Sequence, residues 1–280
     1  MQFGIHLPQA GPAASRDAIV AAARQAEDLG FDDVWVSDHV IVPRERDYPP
    51  SAYIHEPIVA MGIAAAVTER VRIGTTVLVV SMRQPLVLAK QLASLDVMTD
   101  GRIILGAAAG WLEPEFDALG MPFGDRGPRL DEALALMRAS WTEDPITIDG
   151  PLHGIRVDDM RAKPQPEASI PVWIGGHSAV VYRRAIETGD GWHGAFRSPA
   201  DTKPIVDTLR AGRPEADFTI SMRTRWDALE DDRDLIVAEL EEYAEIGVQH
   251  VVAEPRQRTL GGWLRCGEAF AEILDAADLG

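Results

Sequence analysis

The chain has 280 residues, 46% apolar and 25% charged, enough to bury a core without disulfide or metal staples and too well mixed for a disordered, collagen-like or coiled-coil chain. Acidic residues outnumber basic ones 44 to 27, for a formal charge of -17. That field repels a phosphate backbone or an anionic membrane surface, and no Lys/Arg run offsets it, so a small molecule is the expected partner rather than nucleic acid or membrane.

The first strand is expected at Phe3–Leu7, and Met1–His6 has neither the basic start nor the apolar run of a secretory signal. Ser15 precedes a stripe of Ile19, Ala22, Ala26 and Leu29, which predicts a helix with a serine N-cap. Asp33–Ser37 reads as the second strand. An irregular segment, Val42–Ile54, follows around Tyr48-Pro49-Pro50. The longest apolar run, Ile58–Val67, is too short to cross a bilayer. Val71–Val80 reads as the third strand, Leu88, Leu92 and Leu95 mark a helix, and Ile103–Ala107 is the fourth strand. Trp141–Pro171 then breaks the rhythm. Its Asp144-Pro145, Asp149-Gly150-Pro151 and Lys163-Pro164-Gln165-Pro166 predict an inserted hairpin and a Pro-rich arm. Four more strands are expected at Val172–Ile174, Gly191–Ala195, Thr219–Arg225 and His250–Ala253. Ser178 and Ser198-Pro199 start intervening helices, and the stripes Ile236, Leu240, Tyr243 and Phe270, Ile273, Leu274, Ala277 complete the set.

Strands alternating with helices predict parallel pairing through right-handed crossovers. About eight such units, with strands too apolar for a half-wet sheet, favour an α/β (β/α)8 barrel over a doubly wound sheet. Leu7-Pro8-Gln9-Ala10-Gly11-Pro12 lacks the glycines of a dinucleotide fingerprint. Residues 1–280 are expected to form one domain. Cys266 is the only cysteine, so neither an intrachain disulfide nor a cysteine-rich zinc site can form, and a reducing cytoplasm is the expected compartment. His6, His55, His153, His193 and His250 show no metal-ligand spacing, and no metal is assigned.

In a parallel barrel the chemistry sits at the C-terminal ends of the strands. His39, directly after Asp38, is there either as a half-buried histidine or as a proton carrier, since imidazole titrates near neutrality. Gly175-Gly176-His177-Ser178 joins a strand to a helix, as a plain turn or as a phosphate cradle. Ala108-Ala109-Gly110 is small, as a flat ring or a crowded barrel taper would need. His6 is a candidate substrate-facing group. Trp35, Trp141, Trp173 and Phe270 read as core, and Glu113, Glu115 and Asp117 as the start of a solvated helix.

Five motifs in order carry a resemblance. They are Asp32-Asp33-Val34-Trp35-Val36-Ser37-Asp38-His39, Glu69-Arg70-Val71-Arg72-Ile73-Gly74-Thr75, Asp100-Gly101-Arg102-Ile103-Ile104-Leu105-Gly106, Gly110-Trp111-Leu112-Glu113-Pro114-Glu115-Phe116 and Pro171-Val172-Trp173-Ile174-Gly175-Gly176. The chain resembles the luciferase-like monooxygenase superfamily, nearest to its coenzyme F420-dependent branch. The resemblance implies a hydride-transferring oxidoreductase acting on an unidentified small substrate. Its alternatives are an FMN-dependent monooxygenase and a non-catalytic flavin-binding barrel. It also implies catalysis by His39, with Asp38 touching the ring or orienting the histidine. A cis Thr76–Val77 peptide would lie behind the ring, Ala109 and Gly110 beside it, and Gly175, Gly176, His177 and Ser178 around its phosphate. A homodimer is the implied assembly. Sugar and alcohol dehydrogenases of this kind carry a tryptophan soon after the histidine and a glutamate just after strand four. Here those regions read Val40-Ile41-Val42-Pro43 and Trp111, which puts sugar-phosphate and simple alcohol oxidation in doubt.

Overall fold

The computed structural model describes residues 1–277. Its strands are β1 (Gln2–His6), β2 (Asp33–Val36), β3 (Arg72–Thr75), β4 (Leu78–Val79), β5 (Ile103–Ala108), β6 (Ile146–Gly150), β7 (Ile155–Met160), β8 (Val172–Gly175), β9 (Gly191–Ala195), β10 (Thr219–Arg223) and β11 (His250–Ala253). Between them run the helices α1 (Arg16–Asp28), α2 (Pro57–Ala65), α3 (Pro85–Met98), α4 (Glu113–Ala118), α5 (Arg126–Thr142), α6 (Ala179–Thr188), α7 (Pro199–Gly212), α8 (Arg233–Glu245) and α9 (Leu260–Ala276). Their starts follow the local chemistry. Ser15, Ser178 and Ser198 each accept an amide of the first turn, and Pro57, Pro85 and Pro199 occupy first-turn positions where a missing N–H costs nothing.

The main sheet runs β3-β2-β1-β11-β10-β9-β8-β5-β4, and β3 also pairs with β5, which closes the ring. Every pairing in it is parallel. Because β4 continues β3, the ring is an eight-stranded (β/α)8 barrel with the helices outside. The apolar helix stripes and the outward strand faces merge into one large core cluster. A smaller cluster of Trp35, Ile104, Trp173 and Val252 fills the barrel interior, with the Trp35 and Trp173 rings stacked at 5.4 Å.

Two details correct the expectations. The run Val71–Val80 is not one strand, since it breaks after Thr75 and resumes at Leu78. Trp141 belongs to the last turn of α5, where its indole N–H donates to the Ala89 carbonyl at 3.0 Å, so the insertion begins after that helix. The insertion does hold the expected hairpin, with β6 antiparallel to β7. The alanine-rich run of α2 points Ala60, Met61 and Ala64 into the core. Among the described residues no helix is long and apolar enough to cross a membrane.

Candidate active site

Alternation along each strand sends every second side chain into the barrel. At the C-terminal level the inward positions are His6, Ser37, Thr76, Gly106, Gly175, Ala195, Arg223 and Glu254. They make a mouth with two unlike halves.

The polar half is a hydrogen-bonded cluster. Ser37 Oγ lies 2.7 Å from His6 Nε2. Arg223 donates to the Thr76 carbonyl at 2.7 Å and forms an ion pair with Glu254 at 2.8 Å. Burial pushes His6 down to about 4, and the Arg223 charge adds to this. Burial alone would raise the Glu254 carboxyl, but Arg223 holds it below its ordinary value. The other half is nearly bare backbone. The Thr76–Val77 peptide is cis, and it turns Val77 across β5 and β8. A Cβ on Gly175 would come 2.7 Å from Val77 Cγ1, and one on Gly106 would come 1.9 Å from the Thr75 carbonyl oxygen. Gly175 therefore makes room for Val77.

His39 follows β2 on the rim, with its side chain only 8% exposed. Its Nδ1 lies 3.0 Å from Glu115 Oε2. The other Glu115 oxygen accepts the amides of Val40 at 2.6 Å and Ile41 at 3.2 Å. Burial alone would push the Glu115 carboxyl up, but these bonds hold it below its ordinary value. Sequence reasoning took Glu115 for the start of a solvated helix. It is instead buried, and α4 aims it at His39. This leaves His39 Nε2 as the nitrogen that can exchange a proton with a ligand. Tyr48 and Trp111 stand edge-on to the imidazole at 6.4 and 6.1 Å.

Asp38 does not orient His39. Its carboxylate accepts the Val79 amide at 2.9 Å and pairs with Arg83 at 2.8 Å, so it pins the chain beyond the cis peptide. Burial pushes this carboxyl up despite Arg83. Ala109 and Gly110 leave β5 half-buried. Gly110 has φ +86, and a Cβ there would strike Val79 and Phe116 at 2.6 and 2.7 Å, so the tight turn requires glycine.

Gly176, His177 and Ser178 lie together at the start of α6. Gly176 has φ +125, and the Ser178 hydroxyl accepts the Val181 amide. The Ala195 N–H points at His177 Nε2 from 3.1 Å, and Arg197 Nε points at Nδ1 from the same distance. A neutral imidazole has one lone-pair nitrogen, so one of these contacts sets donor against donor. Burial and then Arg197 push His177 below its ordinary value.

Sequence reasoning also missed Arg223, Glu254, Tyr48 and Arg225. Arg223 and Glu254 stand at the C-terminal ends of the last two strands, where the barrel rule would have found them. Tyr48 comes from the irregular segment, and the Arg225 guanidinium lies over the rings of Tyr48 at 5.6 Å and Phe196 at 4.1 Å. Arg184 of α6 points away from the mouth cluster and pairs with Asp131 of α5.

Known proteins place this geometry in context. The chain is 36% identical over 189 residues to an F420-dependent glucose-6-phosphate dehydrogenase of Amycolatopsis mediterranei, a match that spans 66% of this chain and 54% of that protein. It is 31% identical over 277 residues to the enzyme of the same name from Beutenbergia cavernae, covering 90% of this chain and 80% of the relative. An F420-dependent secondary alcohol dehydrogenase in complex with an F420–acetone adduct shares the fold, with a TM-score of 0.81, 22% identity and 98% coverage of both chains. So does the monooxygenase RslO1 from Streptomyces bottropensis, with a TM-score of 0.83, 20% identity and 99% coverage of both. The sequence model of the luciferase-like monooxygenase family matches residues 1–270, and the chain belongs to that family.

Proposed function

We propose that this chain is a coenzyme F420-dependent oxidoreductase that moves a hydride between the deazaflavin and a small organic substrate, with residues 1–280 acting as one domain. The observation that carries the reading is the His39–Glu115 pair, with His39 beside the mouth and its Nδ1 held at 3.0 Å from a buried carboxylate. The bound deazaflavin supplies the hydride-carrying carbon. This chain supplies the rest. Val77, lying across Gly106 and Gly175, gives a flat apolar shelf on which a planar ring fits. Gly176, Ser178, His177 and Arg197 suit the ring's anionic tail. Ala109 and Gly110 border the shelf, and Asp38 and Thr76 hold it in place.

His39 Nε2 takes or gives the proton that accompanies hydride transfer. Glu115 fixes the ring orientation through Nδ1. His39→Asn is expected to cut turnover by roughly 10²–10⁴-fold while leaving cofactor affinity within a few-fold, as measured by steady-state kinetics and equilibrium titration. Unchanged turnover would remove His39 from the mechanism. Trp111, 55% exposed where related sugar dehydrogenases carry an acid, lines the approach to His39 with an apolar ring.

A homodimer is the assembly this reading expects. The outward faces of the neighbouring α2 and α3 support it, since they leave Val59, Val87, Val97 and Met98 exposed. Light scattering of the purified protein tests this, and a monomer mass at micromolar concentration would contradict it.

A further inference from the structure

The floor of the mouth carries two hydroxyls, and each is backed by a buried histidine that the proposed chemistry does not use. The short arm starts at Ser37, whose Oγ lies 2.7 Å from His6 Nε2. His6 Nδ1 lies 2.8 Å from the Leu7 carbonyl. A carbonyl can only accept, so Nδ1 carries the proton, Nε2 is a lone pair, and Ser37 donates to it. Burial keeps this ring neutral near physiological pH.

The long arm starts at Thr76, whose Oγ1 lies 2.7 Å from His193 Nε2. His193 Nδ1 is 2.8 Å from Ser221 Oγ, which is 2.7 Å from His250 Nδ1. His250 Nε2 is 2.9 Å from Asp33 Oδ1. All five residues are buried. Burial alone would raise the Asp33 carboxyl, but its partners hold it below its ordinary value and keep it ionised. Arg72 already pairs with its other oxygen at 2.7 Å, and a carboxylate can only accept, so His250 Nε2 carries a proton toward Asp33. With a single proton on His250, the direction of the whole chain follows. His250 donates to Asp33, Ser221 to His250, His193 to Ser221, and the Thr76 hydroxyl to His193.

We propose that these two arms make the mouth floor an acceptor surface. Ser37 and Thr76 commit their protons downward and offer only lone pairs to what docks above. The floor therefore selects a ligand edge bearing O–H or N–H donors over one bearing carbonyls. Arg223 does not reverse this, because its donors turn to Glu254, Tyr48 and the Thr76 carbonyl. Ser37 and Thr76 are the specificity-determining groups, and His6, His193, Ser221 and His250 are positioning residues that act through them. The inference rests on the reading of the mouth as the binding site.

Two measurements test it. Ring-nitrogen chemical shifts of isotope-labelled, ligand-free protein report each histidine tautomer. The expected result is Nδ1–H at His6 and His193 and Nε2–H at His250. An Nε2–H tautomer at His6 or His193, or a doubly protonated ring at any of the three, overturns the proposal. The second measurement titrates the protein, loaded with whichever of F420 and FMN it binds, with cyclohexanol and cyclohexanone. The alcohol should bind about tenfold more tightly, because the ketone sets acceptor against acceptor. Ser37→Ala should collapse that preference. Ser221→Ala, which cuts the long arm without touching the ligand, should shrink it, and Ser221→Thr should restore it. Equal affinities in the wild type, including none for either, or an unchanged preference in Ser37→Ala, overturn the proposal. A protein that binds neither cofactor defeats the oxidoreductase reading alone, because the tautomers are read without one.

Discussion

Glu115 shows how one side chain can join two tasks. One oxygen faces His39 Nδ1, and the other ties down the amides of Val40 and Ile41, so the imidazole and the loop that carries it share an anchor. Glu115→Gln keeps an acceptor for the amides and loses the negative charge beside His39. Turnover is expected to fall by about 10–100-fold with KM nearly unchanged, since the lost interaction is strongest when His39 is charged. A rise in KM with turnover intact would mean that Glu115 only shapes the pocket. This residue was illegible in the sequence for a physical reason. A glutamate in the first turn of a short helix has the same local signature whether it faces solvent or a histidine 76 positions away. His39 was legible because its place after a parallel strand is fixed by topology. Asp38 was placed correctly but given the wrong partner, because Arg83, its counter-ion, lies beyond a break in the following strand.

The same distinction runs through the elements. The strands and helices could be read from periodicity, since each buries one apolar face in a shared core. The break between β3 and β4 could not, because Val71–Val80 is rich in β-branched residues on both sides of it and only the resemblance pointed to Thr76–Val77. Once Val77 crosses the barrel top, β5 and β8 must both be bare beneath it. Gly175→Ala should therefore destabilise the protein by about 1–3 kcal/mol through overpacking. Adding Val77→Ala should recover most of that loss, because the clash is with the Val77 side chain. Denaturant melts of the two single variants and the double variant give the coupling. Additive losses would show that Val77 does not lie on Gly175. Gly106→Ala is expected to be worse and not rescued, since its new Cβ meets the Thr75 backbone.

Across the whole molecule, a rim charged for an anion sits on a chain with a net charge of -17. Arg197, Arg223 and Arg225 gather at the mouth, where Arg223 is paired with Glu254. Against a repelling background, such a local cluster favours a ligand that brings its own negative charge to a defined place. A phosphate-tailed planar coenzyme has that shape, and the barrel presents shelf, proton carrier and anion edge at one end. The central claim is that this mouth takes the deazaflavin. Equilibrium titration of the purified protein with F420, in parallel with FMN, tests it most directly. Saturable binding of F420 at micromolar concentration or below, much weaker for FMN and lost when Arg197 and His177 are both replaced by alanine, is the predicted result. Tight FMN binding with no response to F420 would contradict it.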